Sequence, residues 1–154
     1  MDYIDHRIIN SLLVDGRKSV TDLAKEVGIS KTPCAARLKK LLADGILLGF
    51  RAIVNHKRLN QNHVAFVEVT LNDTREGALR AFAKAVKTIP EIEECYMIAG
   101  AFDYLLKVRT SDIETYRKVL GESISGLPHV SNSSTHVTME AVKETSHHFP
   151  SNSA

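Results

Sequence analysis

Tryptophan is missing from this 154-residue chain, proline occurs four times and cysteine twice. Cys34 and Cys95 stand far apart, with no CxxC motif and no histidine at metal-ligand spacing. That excludes a disulfide scaffold and a zinc module, and fits thiols kept in a reducing cytoplasm. No apolar run approaches the roughly 18–20 residues that a membrane helix needs. The opening Met1-Asp2-Tyr3-Ile4-Asp5 lacks a basic region followed by an apolar one, so no signal peptide is expected. A strong net charge is also absent, since the chain balances at +2.

That balance is an average of two unlike halves. Residues 1–60 hold 11 Lys and Arg against 6 Asp and Glu, a net of +5. Residues 61–154 hold 9 against 12, a net of −3. Opposite charge in the two halves predicts two units with different partners. The boundaries expected are 1–54 for the basic unit, 55–62 for a polar linker, 63–144 for the acidic unit, and 145–154 for a disordered Ser/His-rich tail. Two adjacent histidines in that tail, His147 and His148, do not make a metal site.

The front half reads as three helices. Ile4, Ile8, Ile9, Leu12 and Leu13 recur at helical spacing behind Asp2, an N-cap candidate with Asp5 three residues on. Ser19 caps a second helix with Leu23, Ala24 and Val27 as its stripe, and Gly28 stands where a left-handed C-cap is needed. Ile29 is expected to pack back on the core. Ser30 opens a third helix that runs to Asp44-Gly45. A short helix, a glycine turn and a second helix make a helix-turn-helix. On the third helix Cys34, Leu38, Leu41 and Leu42 are expected in the core. Thr32, Ala36, Lys39, Lys40 and Ala43 are expected outside, with Lys31 and Pro33 in the first turn.

Small side chains let a helix approach the major groove, and Lys or Arg reach phosphates and guanine edges. The DNA-contact candidates are therefore Ser30, Lys31, Thr32, Pro33, Ala36, Arg37, Lys39 and Lys40. Arg17 and Lys18, before the second helix, are candidates for phosphate. The β-prone Ile46-Leu47-Leu48-Gly49-Phe50-Arg51-Ala52-Ile53-Val54 follows as a wing or connecting strand.

The back half reads β-α-β-β-α-β, the split βαβ plan of ferredoxin-like domains. Residues 63–72 alternate, with Ala65, Val67, Val69 and Leu71 on one face and Val64, Phe66, Glu68 and Thr70 on the other. Capping boxes are expected at Asp73-Thr74-Arg75-Glu76 and Ser111-Asp112-Ile113-Glu114. The first opens a helix with Leu79, Phe82, Ala83 and Val86 on one face. The second opens one with Ile113, Tyr116, Leu120 and Ile124. Strands are expected at 92–98, 104–109 and 134–142. The sheet face without helices, with Val64, Phe66, Tyr96 and Ile98, is expected to be too apolar to stay wet, which predicts an obligate dimer, sheet against sheet.

Asp2-x-x-Asp5, Leu23-Ala24, Gly28-Ile29-Ser30 and Arg37-Leu38, followed by Gly100-x-x-Asp103-Tyr104 and Leu127-Pro128-x-Val130, resemble the Lrp/AsnC (leucine-responsive, feast/famine) regulators over residues 2–144. The resemblance implies an α+β chain: an N-terminal (winged) helix-turn-helix and a ferredoxin-like βαββαβ domain. It implies a cytoplasmic, nucleoid-associated transcription regulator that forms homodimers and octamers and takes a small effector, usually an amino acid, rather than a cofactor or metal. Carried over by motif, the effector residues are Ile98, Gly100, Ala101, Asp103 and Tyr104, with Ser134, Thr135 and His136 of the last strand. Glycine permits close backbone approach and a carboxylate pairs with an α-ammonium; Gly100 and Asp103 equally suit an ordinary hairpin turn. Ala101-Phe102 replaces the polar or acidic residue common in that turn, which leaves ligand choice open. The segments 117–121 and 133–143, with Lys31-Thr32-Pro33-Cys34, are similar to the proline-utilisation activators of the family.

No enzyme is expected. A haem-pathway decarboxylase on the same two-domain plan would need converging His or Arg residues, and His63, His129 and His136 form no such constellation. A ligand-binding module without DNA binding leaves the basic third helix without a role.

Overall fold

The computed structural model of the chain describes residues 1–144, and the tail with His147 and His148 lies outside the described residues. Two units divide at Val54 and Asn55.

The first unit is a three-helix cluster. Helix α1 (Tyr3–Val14) is closed at its start by a reciprocal capping box between Asp2 and Asp5. Each carboxylate accepts the other residue's backbone N–H, at 2.9 and 3.0 Å. Helix α2 (Val20–Val27) starts at Ser19, whose hydroxyl accepts the N–H of Asp22. It ends at Gly28 with φ +78°, a left-handed turn that costs a residue without Cβ nothing. The N–H of Ile29 then returns to the Ala24 carbonyl, and Ile29 packs on the core. Helix α3 (Lys31–Ala43) follows directly.

Ile8, Leu12, Leu23, Ala24, Val27, Cys34 and Leu41 form one buried core. Two leucines expected there are outside it. Leu13 is 77% exposed and Leu42 39% exposed. Both sit at the margin of their stripe, where a helix in a small three-helix cluster has no further neighbour.

The stretch 46–54 carries no strand. Its first two N–H groups, of Ile46 and Leu47, both turn back to the carbonyl of Leu41 at 3.0 Å. Gly49 then takes φ +142°, outside the range of a β-strand. The β-branched content alone could not make a strand without an edge to pair with. In the polar 55–62 connector, Asn55 caps a single 3₁₀ turn, His56–Leu59.

The second unit is a four-stranded antiparallel sheet with two helices on one face. Its strands are β1 (His63–Leu71), β2 (Ile92–Met97), β3 (Tyr104–Thr110) and β4 (Val130–Val137). The spatial order is β2-β3-β1-β4. Helices α4 (Glu76–Val86) and α5 (Ile113–Lys118) supply Phe82, Val86 and Tyr116 to the core. A π turn over Val119–Ile124 continues α5 and adds Ile124. Strand β1 alternates as expected: Ala65, Val67, Val69 and Leu71 are buried against that helical layer. The Phe82 ring stacks on Tyr104 at 4.3 Å.

Three local readings need correction. Strand β4 begins four and ends five residues earlier than expected, because His129 (φ +66°) turns the chain straight into it after Pro128. Its sequence, Val-Ser-Asn-Ser-Ser-Thr-His-Val, is polar, and pairing with β1 rather than alternation defines it. The box at residue 73 does not cap α4. Its N-cap is Arg75, without a side-chain bond, while Asp73 forks onto the Arg75 guanidinium at 2.7–3.1 Å. At α5 the cap is Asp112, not Ser111, and Ser111 donates to its carboxylate. Ile113 of the expected stripe is 49% exposed.

The second sheet face is not simply apolar. Phe66 and Tyr96 are exposed on it, but charged pairs run between them. Lys107 lies 3.5 Å from Glu94 and 2.6 Å from Glu144. Arg109 reaches three segments at once: Glu93 at 2.6 Å, Glu144 at 2.9 Å and the Gln61 carbonyl at 3.2 Å. Arg109 therefore joins the residues just before β1 to those after β4.

Asp112 is held at a pKa of about 2, against 3.8, by the Thr115 N–H first and the Ser111 hydroxyl second. A depressed carboxylate stabilises the fold above its unfolded pKa, and that contribution disappears as pH falls through the folded value. Asp112→Ala is therefore expected to lower the melting temperature at pH 7 and to lower it less near pH 2. Calorimetric melts across that range check this.

Candidate nucleic-acid interface and effector site

Helix α3 presents its candidates as expected from its periodicity. Cys34 and Leu41 are buried and Leu38 half-buried, which turns Lys31, Thr32, Pro33, Ala36, Lys39 and Lys40 to solvent. Ser30, the N-cap, makes no side-chain bond to the helix, so its hydroxyl and the first-turn N–H groups are not tied to each other. Among the described residues the ammonium groups of Lys31, Lys39 and Lys40 have no ion pair. An open groove of about 530 Å³ runs beside this surface, between Met1 and Asp5 on one side and Ala36 and Lys40 on the other. The geometry is a protruding basic ridge with small residues at its centre, which suits a major groove.

Two candidate cations are engaged within the protein. Lys18 pairs with Glu26 and donates to the Ser11 hydroxyl at 2.8 Å. It joins α1 to α2, and its side chain is only 20% exposed. Arg37 donates from Nη1 to Asp2 Oδ2 and to Asp5 Oδ1, both at 2.7 Å. Those bonds raise the guanidinium pKa, with Asp5 the larger influence. Both carboxyls lie below their ordinary value, through the capping N–H groups first and Arg37 second. Arg17 by contrast is exposed and has no side-chain partner among the described residues. Sequence reading missed Arg7, whose guanidinium donates to the Val27 and Glu26 carbonyls at the end of α2. Its place opposite the α2 terminus has no periodic signature.

The effector candidates fall into three environments. Ile98, Gly100 and Ala101 lie in the β2–β3 loop, closed by an Ile98 N–H to Asp103 carbonyl bond of 2.8 Å. A Cβ at Gly100 would meet only the Ile98 side chain at 3.5 Å, an ordinary contact, so nothing within this chain demands glycine there. Asp103 spends its carboxylate on the Leu71 N–H at 2.7 Å. That is the point where the β1–β4 register shifts, leaving an N–H without its ladder partner.

Tyr104 and Thr135 belong to the helical side. Tyr104 is 3% exposed, its hydroxyl is buried without a partner, and burial pushes its pKa up. The Thr135 hydroxyl is 2.5 Å from that of Tyr116. Ser134 and His136 project from the opposite face. There His136 Nε2 lies 3.2 Å from Glu68 Oε1, and Glu68 pairs with Ser134 across the strands. The structure thus does not bring the eight candidates to one place. It adds Glu68, which period-two alternation with Phe66 already placed on that face. Among the described residues no group of three or more His, Cys, Asp or Glu is placed to hold a metal ion, and no helix is long and apolar enough to cross a membrane.

Comparison with known proteins bears on both regions. A family profile described as the Lrp/AsnC ligand binding domain matches residues 64–147, and one described as winged helix-turn-helix DNA-binding matches residues 1–47. A proline dehydrogenase transcriptional activator of Rhizobium radiobacter is 61% identical over 94% of this chain and 93% of its own. The leucine-responsive regulatory protein of Klebsiella pneumoniae is 43% identical over 94% of this chain and 88% of its own. Among solved structures, an AsnC family transcriptional regulator from Agrobacterium tumefaciens superposes with a TM-score of 0.87 at 32% identity, covering 94% of each chain. A transcriptional regulator from Neisseria meningitidis, in complex with L-Met, gives 0.86 at 26% identity, covering 94% of this chain and 93% of its own.

The Asp103 bond makes a stability prediction independent of any ligand. Asp103→Ala strands a half-buried N–H and is expected to cost about 1–3 kcal/mol in urea unfolding. Asp103→Asn keeps an acceptor oxygen and is expected to lose less.

Proposed function

Because the chain belongs to the Lrp/AsnC family of DNA-binding transcriptional regulators, we propose that it controls genes of amino-acid metabolism by binding duplex DNA through α3 under the control of an amino acid. The observation that carries this reading is the outer face of α3, basic and small, standing clear of a helix-turn-helix core. Lys39 and Lys40 contact the DNA backbone and base edges. Thr32, Pro33 and Ala36 allow close approach, and Ser30, Lys31 and Arg17 contact phosphates. Lys18 serves the fold, through Ser11 and Glu26, before it serves DNA.

The chain acts as a homodimer on a pseudo-palindromic site, and dimers assemble further, to an octamer. The exposed Phe66 and Tyr96 on the open sheet face supply the apolar part of that contact. It works in the cytoplasm on nucleoid DNA. The effector sits at the loop of Ile98, Gly100 and Ala101, with Asp103 and Tyr104 holding the loop; Ser134 and His136 belong to the open face of β4, and Thr135 supports Tyr116 on the helical side. It binds where neighbouring copies meet, so its occupancy changes how dimers associate and which spaced sites they fill. The similarity to proline dehydrogenase activators makes the promoter of that gene the first target and L-proline the first effector to test. The relatives named as transcriptional regulators and the helix-turn-helix profile support a regulator rather than an enzyme.

Fluorescence anisotropy on a duplex from upstream of the host's proline dehydrogenase gene tests the DNA reading. Wild type is expected to bind it more tightly than a scrambled duplex. Lys40→Ala is expected to weaken binding and to lower the salt slope by about 0.9. Equal binding by wild type and Lys40→Ala refutes the role of α3. For the effector, L-proline is expected to raise the melting temperature in proportion to the logarithm of its concentration. A flat response to all twenty amino acids refutes the effector reading.

A further inference from the structure

Arg37 lies on the flank of α3 beside the reading face, which would make it one more DNA contact. Its surroundings say otherwise. Nη1 is held between two carboxylates, Asp2 Oδ2 and Asp5 Oδ1, each at 2.7 Å. The acceptors are themselves fixed, because Asp2 and Asp5 are locked to one another by the reciprocal capping box at the start of α1. Asp5 is mostly covered, with 15% of its side chain exposed. The tie spans 32 to 35 residues and joins the start of α1 to the middle of α3.

Other side-chain bonds that fix α3 are few among the described residues. Ser30 gives its N-terminus no side-chain cap. The α3 residues in the core are Cys34, Leu41 and, partly, Leu38, and apolar contacts set separation better than they set rotation about the helix axis. A charged hydrogen bond to a rigid acceptor has direction as well as strength. The capping box therefore does more than close α1: it supplies a fixed acidic socket for an arginine of the neighbouring helix.

We propose that Arg37 is a positioning residue, locked into the Asp2–Asp5 socket of α1 so that α3 presents Thr32, Ala36, Lys39 and Lys40 in one fixed rotation to DNA. This rests on the reading of α3 as the recognition helix. In that arrangement the arginine serves discrimination between sequences rather than general attraction to phosphate. The two aspartates, though negative and next to a DNA-facing groove, favour specific binding.

The experiment measures affinity against salt for a duplex selected from a random pool by the wild-type protein, and for a scrambled duplex of equal length. Arg37→Gln and the pair Asp2→Asn/Asp5→Asn are compared with Lys39→Ala. Arg37→Gln is expected to weaken binding to the selected duplex about tenfold, the loss of one good base contact through misalignment. It is expected to leave the scrambled duplex and the salt slope unchanged. Lys39→Ala is expected to lower the slope by about 0.9, as a lost phosphate contact does. The aspartate pair decides the sign. Removing negative charge beside DNA tightens binding if electrostatics alone acts, whereas a broken socket weakens the selected duplex only.

The triple variant is expected to bind like Arg37→Gln, since residues acting as one unit are not additive. A salt slope lowered by Arg37→Gln, or tighter binding by the aspartate variant, overturns the proposal. Failure of the wild-type protein to select any duplex would instead overturn the recognition-helix reading.

Discussion

Burial of Leu23, Ala24 and Val27 against Ile8 and Leu41 is the contact on which the DNA-facing side depends. It fixes α2 under α1, and Gly28 then leaves the chain only one direction in which to start α3. With Cys34, Leu41 and partly Leu38 turned inward, the other positions of α3 face outward. The basic face is thus what is left over once the core is satisfied. Arg7 and Lys18 hold the end of α2, and Arg37 ties the middle of α3 to the start of α1. Five of the acidic and basic groups in this small unit are therefore occupied by each other, and the charge available for DNA is smaller than the composition suggests.

The second unit is governed by a different constraint, the two-residue repeat of a strand. It places Ala65, Val67, Val69 and Leu71 on the helical layer and commits Phe66 and Glu68 to the other side. The same repeat separates Thr135 from Ser134 and His136 on β4. A ligand touching all three would have to reach around an edge strand. The loop at Ile98–Ala101 and the open face are two distinct surfaces, joined through Asp103, whose carboxylate closes the register shift of β1. Changes at the loop therefore have a direct route to the central strand.

What the sequence made legible was local or periodic. The Asp2–Asp5 box, the Gly28 turn, the α3 stripe and the alternation of β1 each lie within one short window, and each was visible there. What was not legible depended on partners far along the chain. Strand β4 is polar and is a strand only because β1 offers it a ladder. The stretch 46–54 has the composition of a strand but spends its first N–H groups on Leu41. Asp103 reads equally well as a ligand group or a turn residue until Leu71, 32 residues away, is seen to use it. The partners of Arg37, Asp2 and Asp5, are visible only once α1 is folded beside α3. Long-range pairing of single side chains leaves no period to detect.

Arg109 gives the second unit a mechanical property. One guanidinium holds Gln61, on the way into the sheet, and Glu144, on the way out of it, while also gripping Glu93 of the edge strand. A pull arriving along the connector is therefore divided at once between β1 and β3. The start of β1, the end of β3 and the chain leaving β4 are thus pinned together at one end of the sheet.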